Sequence, residues 1–402
     1  MHYFIEKIYI NRYLDWLLAF LIVSSSEIGI NSLFIYIAAL FFIFINKTYI
    51  DKSSLKCIIP LAAVVFIGFI NISGINYYVF KDIFYFTKPI IIFITGSIFC
   101  SKYKDILKIN KNFIYFSLFI VLIAFYRYVF LVGFKFSEII ENKNIKYHGN
   151  LIMVYSLIFI LFLNFKFSIL TKVFMLFSLL FFPFISLSRT IVLNLLIFIF
   201  LILIIEKISL KKIVSVLILV FFIFYGLIYL NKYEGIKYII NEIIPNQNYY
   251  SIASNYTNWR GYETYIGYDK YRSYKSLEKY LMGGGLGTIV DVNFIWFEGE
   301  GFVLDYIPIF HNGYIYLLLK TGIIGLFCYI AFFIYIAYKG LRILKKEIRF
   351  EQQFFLGLII TSIFNTFVIS GLYNKTACDG TILLMGLYFR YINNKLKLWQ
   401  NN

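Results

Sequence analysis

The sequence predicts an all-α polytopic membrane protein, on three observations. Of its 402 residues, 61% are hydrophobic, where a soluble domain is nearer half. Uniform apolar runs such as 193–205 and 214–230 are too long for soluble core helices and suit a bilayer span of roughly 20 residues. Basic residues also alternate between the segments that join these runs.

Taken in order, the apolar runs define about 12 transmembrane helices. They lie near 13–29, 30–46, 55–71, 83–100, 113–132, 149–164, 168–185, 190–206, 212–230, 313–337, 353–372 and 380–393. Asp15 and Glu27 interrupt the first, and the sixth is short. With five prolines in the chain, most spans should be continuous. If the N-terminus is inside, the inner segments hold 22 Lys and Arg and the short outer loops six. This bias predicts an N-in/C-in topology. The chain then divides into helices 1–9 (1–230), a large outer loop between helices 9 and 10 (231–312), and helices 10–12 with a cytoplasmic tail (313–402).

A net charge of +17 would suggest nucleic acid in a soluble protein. Here cytoplasmic Lys and Arg facing anionic headgroups account for it. No lysine run is interleaved with stacking aromatics as a single-strand groove requires. Cys57, Cys100, Cys328 and Cys378 contain no CxxC pair, which disfavours a disulfide or metal site. The first apolar run has no small-residue cleavage pattern, so it is read as a span and not as a signal peptide. No internal repeat is evident, against an inverted-repeat transporter.

The outer loop is too long for a plain connector and should be partly helical. Residues 255–281 lack proline and read as one helix. Trp259, Tyr262, Tyr265, Tyr268, Tyr271, Tyr274, Leu277 and Tyr280 recur every third residue, a stripe that winds around an α-helix. A helix resting at headgroup level explains it, and is preferred to an aromatic surface for sugar rings.

Four motifs border this loop. Ser188-Arg189-Thr190 opens helix 8, where Ser188 suits an N-cap and Arg189 and the first-turn N–H groups suit an anion. A snorkelling arginine explains the triplet equally well. Arg260, in Trp259-Arg260-Gly261-Tyr262-Glu263, offers a planar fork for phosphate. Taken alone it is better read as a surface arginine paired with Glu263 one turn on. The glycines at 283–287, including Gly285 and Gly287, lack the Lys-Ser/Thr of a P-loop. They read as a flexible turn that allows close backbone approach to a ligand. His311-Asn312 precedes helix 10, with Asn312 as N-cap. A histidine there has its cationic form disfavoured, and the neutral imidazole can take a proton. An interfacial histidine is the plainer reading of His311 alone.

His311-Asn312, nine residues, then Gly322-Ile323-Ile324-Gly325 resembles the signature of the O-antigen polymerase and O-antigen ligase superfamily. The Ser-Arg-Thr triplet, the loop arginine, the Gly-rich turn and twelve spans with the large loop after the ninth are similar to that family too. The motif resemblance covers roughly 186–325. It implies glycosyl transfer from an undecaprenyl diphosphate-linked saccharide at the periplasmic face of the bacterial inner membrane. It implies that Arg189 and Arg260 bind the diphosphate and that His311 activates the acceptor hydroxyl. Ser188, Glu263, Gly285, Gly287 and Asn312 would be supporting residues. No cofactor and no metal are expected. The partners expected are lipid-linked donor and acceptor, membrane lipids and a chain-length regulator.

A polymerase is preferred over a ligase, which would transfer the glycan to lipid A-core, because the Ile/Phe/Tyr/Asn-rich composition resembles polysaccharide-cluster polymerases. A metal-dependent enzyme would show paired acids in its first outer loop, where only Glu27 stands. The large loop carries Glu263, Asp291, Glu298, Glu300 and Asp305; of these, Glu298 and Glu300 straddle Gly299 and read better as groups that solvate the loop than as ligands for sugar hydroxyls. A lipid-linked saccharide flippase would place ionisable residues deep in several spans. Lys88 and Arg127 are the clear candidates in this sequence.

Overall fold

The computed structural model describes residues 2–25, 32–72, 74–103, 105–132, 151–163, 165–186, 189–205, 259–298, 302–344 and 350–401. The described residues are mostly helical. Before the outer segment come α1 (His2–Val23), α2 (Ser32–Ile45), α3 (Lys52–Ile70), α4 (Tyr77–Lys102), α5 (Ile106–Val132), α6 (Leu151–Phe162), α7 (Ile169–Ser186) and α8 (Arg189–Ile205). The outer segment contributes α9 (Trp259–Arg272), α10 (Leu277–Met282), β1 (Val290–Glu298) and β2 (Phe302–Ile307). Then follow α11 (Gly313–Leu344), α12 (Phe350–Ile369) and α13 (Asp379–Asn401).

These helices fall on eleven of the apolar segments read from the sequence. The remaining one, 212–230, lies outside the described residues, as does 231–258 of the loop. Five helices, α3, α4, α5, α11 and α12, have the length and composition to cross a bilayer. Their outward apolar side chains, such as Phe66 and Phe327, suit lipid contact.

At the centre α4 packs along α13. A Cβ at Gly96 would lie 2.0 Å from the Leu383 carbonyl oxygen, so only glycine admits this crossing. Around this pair α11 packs on α3 and α12, and α8 on α12. Helices α3 and α4 run through Pro60 and Pro89 without ending.

Buried charges are paired. Asp15 of α1 meets Lys102 and accepts from the Tyr103 hydroxyl at 2.9 Å. Lys88 Nζ donates to Asp379 Oδ1 at 2.6 Å and to the carbonyls of Asn374 and Lys375, each at 2.7 Å. Three partners satisfy the three ammonium protons, which is what makes burial of this charge tolerable.

The mostly helical structure is compatible with the all-α membrane class, and within the outer segment β1 and β2 form an antiparallel hairpin, with Val290 opposite Ile307 and Phe297 opposite Val303. Three expectations need correction. The Tyr-rich helix is two helices, because the chain turns at 273–276 and Ser276 caps α10, its Oγ accepting from Lys279 N at 3.2 Å. Helix α11 is broken at Gly322 (φ 63°, ψ −164°), without a proline. Lys88 and Arg127 are not the only ionisable residues inside helices, since Asp82 and Lys320 are buried together.

Candidate active site

Helix α9 supplies one wall of the site. Tyr262, Glu263, Ile266 and Gly267 recur at helical spacing and are buried, while Tyr268, Asp269 and Arg272 face outward. The Tyr262 hydroxyl donates to the Val292 carbonyl at 2.5 Å and ties α9 to the hairpin. Gly267 lies against Phe310, the residue before His311.

Glu263 therefore enters the protein at the level of His311, and its side chain is 2% exposed. Its Oε1 accepts from the His311 backbone N–H at 2.9 Å and its Oε2 faces His311 Nδ1 at 2.7 Å. One carboxylate thus holds the backbone and the ring of the same residue. A carboxylate only accepts, so the neutral imidazole presents Nδ1–H to Glu263. Its lone pair is then on Nε2. The imidazole is 47% exposed, and a neutral ring held in this tautomer can take a proton from a molecule outside the bundle.

The backbone at His311 is held from a third side. Ser370, in a left-handed conformation (φ 63°, ψ 6°), donates its N–H to the His311 carbonyl at 2.5 Å. Its hydroxyl donates to the Phe310 carbonyl at 2.5 Å. Asn312 is 7% exposed, and its Oδ1 accepts from Tyr314 N at 3.1 Å and Ile315 N at 3.4 Å. That is an N-cap for α11. The helix so capped ends at the Gly322 break, so 313–321 is a half-helix, and His311 stands at its head.

A buried ionic cluster fixes this half-helix. Asp82 of α4 accepts from the Tyr316 hydroxyl at 2.6 Å, from Lys320 Nζ at 2.5 Å and from Gly287 N–H at 2.6 Å. Lys320 also donates to the Thr288 carbonyl at 2.5 Å. Both charged side chains are at most 1% exposed. Among them the partners nearly exhaust the carboxylate's lone pairs, the condition for a buried pair to be retained.

Gly285 and Gly287 therefore have structural partners. Gly284 N–H donates to the Leu319 carbonyl at 2.7 Å and Gly285 N–H to the Lys320 carbonyl at 3.1 Å, both just before the α11 break. The Tyr274 hydroxyl reaches the same Leu319 carbonyl at 3.0 Å, and burial pushes this phenol up to about 12. The close approach the glycines allow is to α3, α4 and α11. Their N–H groups serve the protein and not a ligand.

Arg260 is half-buried in the first turn of α9, three residues before Glu263 and so toward the same side of the helix. Both oxygens of that Glu263 bond His311. Arg189 is the first residue of α8. Asn194 donates to Asn365 Oδ1 at 2.9 Å, and Phe198 packs on Phe354 and Gly357. Residue numbers rise on α8 as they fall on α12, so the two run antiparallel. The start of α8 thus lies toward the C-terminal end of α12, just before Ser370, which bonds the His311 backbone. Ser188 lies outside the described residues, as does Glu300. Asp291 is exposed on β1 opposite Tyr306.

Sequence reading missed Asp82, Tyr316, Lys320 and Ser370. Asp82 and Lys320 carried a usable signal, as charges at the edge of or inside apolar runs. Ser370 carried none. Among the described residues, no group of three or more His, Cys, Asp or Glu could hold a metal. The chain matches no protein-family model, and no curated protein sequence matches it.

Proposed function

We propose that this protein is a membrane glycosyltransferase that polymerises a surface polysaccharide from undecaprenyl diphosphate-linked repeat units. The reading includes twelve spans, an N-in/C-in topology and a site facing the periplasm of the inner membrane. The observation that carries it is His311, held through Nδ1 by the buried Glu263 with its ring half-exposed at the head of a capped half-helix. This is what a general base for a sugar hydroxyl needs: a fixed tautomer, an outward lone pair and a ring that does not rotate away.

In this reading Nε2 takes the proton of the acceptor hydroxyl as its oxygen attacks the anomeric carbon of the donor glycan. The bond from that carbon to the diphosphate oxygen breaks, and its electron pair leaves with the undecaprenyl diphosphate. Arg260, one turn from Glu263, and Arg189, at the start of α8, stabilise the departing diphosphate. The choice of donor, and of a second repeat unit over lipid A-core as acceptor, rests on the resemblance of the His-Asn, nine-residue, Gly-x-x-Gly spacing and on composition.

The test is deletion of the encoding gene, with complementation by wild type and by His311→Ala, read on surface glycan. A core carrying a single repeat unit is expected on deletion and with His311→Ala. Bare core, with polymer retained on the lipid carrier, would instead mean a ligase. Wild-type chain lengths with His311→Ala would remove the base assignment.

A further inference from the structure

The opposite end of the bundle holds a second feature. From Asp82 beside the His311 region to Ser101, α4 rises roughly 28 Å at 1.5 Å per residue. There a cavity of about 800 Å³ opens between the α2–α3 connection, the end of α4 and the last turns of α13. Asp51, Lys52, Ser101, Arg390, Lys395 and Leu398 line it.

Its charge balance is one-sided. Asp51 is the single acid among the lining residues, against three bases, Lys52, Arg390 and Lys395. Asp51 is also heavily engaged: Arg390 Nη1 lies 2.5 Å and Lys397 Nζ 3.2 Å from its oxygens, and Asn393 Nδ2 donates to it at 3.2 Å. Arg390 is further held by Ser101, its Nε donating to Oγ at 3.0 Å. These bonds fix a guanidinium at the wall of the cavity and prepay part of the ordering that a ligand would require. Two large side chains of the lining reach outward, Leu398 at 64% and Tyr49 at 44% exposed. A cationic hollow with exposed Leu398 and Tyr49 beside it, at the end of helices able to cross a bilayer, matches a phosphate group whose other substituent is greasy.

We propose that this cavity binds the phosphate of an anionic phospholipid headgroup, with the acyl chains lying over Leu398 and Tyr49. The proposal is independent of the glycosyl-transfer reading and uses none of its residues.

The full chain is placed in nanodiscs of phosphatidylcholine doped with phosphatidylglycerol, and retained phosphatidylglycerol and thermal unfolding are measured. Glycerol 3-phosphate is titrated onto the detergent-solubilised protein as the lipid-free arm. Wild type is expected to enrich phosphatidylglycerol and to unfold at higher temperature with it. Lys52→Gln combined with Lys395→Gln should bind about thirtyfold more weakly, at the usual attraction per lysine near an anionic surface. The same variant in pure phosphatidylcholine reports whether it is folded, and Lys52→Gln alone is the milder substitute. Saturable stabilisation by glycerol 3-phosphate, lost in the variant, would support the phosphate site with a soluble source. Wild-type affinity in a folded variant would overturn the proposal, as would an equal loss from Lys339→Gln, outside the cavity. Absence of phosphatidylglycerol enrichment together with no glycerol 3-phosphate effect would overturn it too.

Discussion

Replacing Glu263 by Gln tests the candidate site most directly. The change keeps shape and removes the charge. Glu263 now accepts two bonds from His311, at 2.9 Å from the backbone N–H and 2.7 Å from the ring. An amide has one oxygen and one NH2, so it cannot accept both. If its oxygen stays with the backbone N–H, its NH2 faces Nδ1. The ring must then turn its Nδ1 lone pair inward and carry its proton on Nε2, where the base is needed. Hydrogen bonds to charged groups contribute about 1.5–3 kcal/mol, so losing one inside the protein should lower stability by that order. The loss of a correctly held base should reduce turnover by about 10²–10⁴, or about 3–5 kcal/mol of barrier. The assay is glycan transfer by purified protein from a lipid diphosphate-linked donor, with thermal unfolding in parallel. A modest fall in unfolding temperature with a large fall in kcat and little change in KM is expected. Turnover and pH profile like wild type, in a folded variant, would refute the role given to Glu263.

Other substitutions separate binding from architecture. Arg189→Lys and Arg260→Lys should each lower transfer, because lysine keeps charge and loses the planar fork; full activity in both would argue against bidentate diphosphate binding. Asp82→Asn should destabilise the fold by about 3–5 kcal/mol by leaving the Lys320 ammonium buried without its counter-charge, read as loss of thermal stability with or without substrate. Gly322→Ala places a Cβ 2.3 Å from the Leu281 carbonyl oxygen at φ 63°, so displaced α10 and reduced yield of folded protein are expected on size-exclusion profiles. Transfer activity should survive a chelator; loss on chelation with recovery by added metal would overturn a metal-free mechanism.

The helices were legible because each is a local property. An apolar run bounded by polar residues becomes a helix whatever its neighbours do, and Asn312 caps α11 with groups two and three residues away. The charges inside the bundle were less legible. Glu263 and His311 are 48 residues apart and Asp82 and Lys320 are 238 apart, and no local pattern says which acid meets which base. Local reasoning therefore gave Glu263 to Arg260. The hairpin did carry a local signal, the alternation of Val290, Val292 and Phe294 with Asp291 and Asn293. It was lost in a segment read by its tyrosines. Proline counting misled at α11: α3 and α4 pass through prolines, while a glycine with no proline nearby breaks α11.

That break gives the distance from His311 to Gly322 a structural meaning. Nine residues, 313–321, make a half-helix of about 14 Å at 1.5 Å per residue, too short to cross a bilayer. Its head is fixed by the Asn312 cap and by Ser370. Its middle is fixed by Tyr316 and Lys320 on Asp82. Its tail is fixed where Gly322 turns beneath Leu281 and Gly283. One residue more or fewer between Leu318 and Leu319 would rotate Lys320 by about 100° relative to Tyr316, so the two could not both reach Asp82. The half-helix that His311 heads would then lose one of its two anchors on Asp82. An alanine inserted between Leu318 and Leu319 should therefore abolish transfer as thoroughly as removing the histidine, while an insertion after Gly325, beyond the break, should be milder. Equal activity from the two insertions would mean that the half-helix does not set the position of His311.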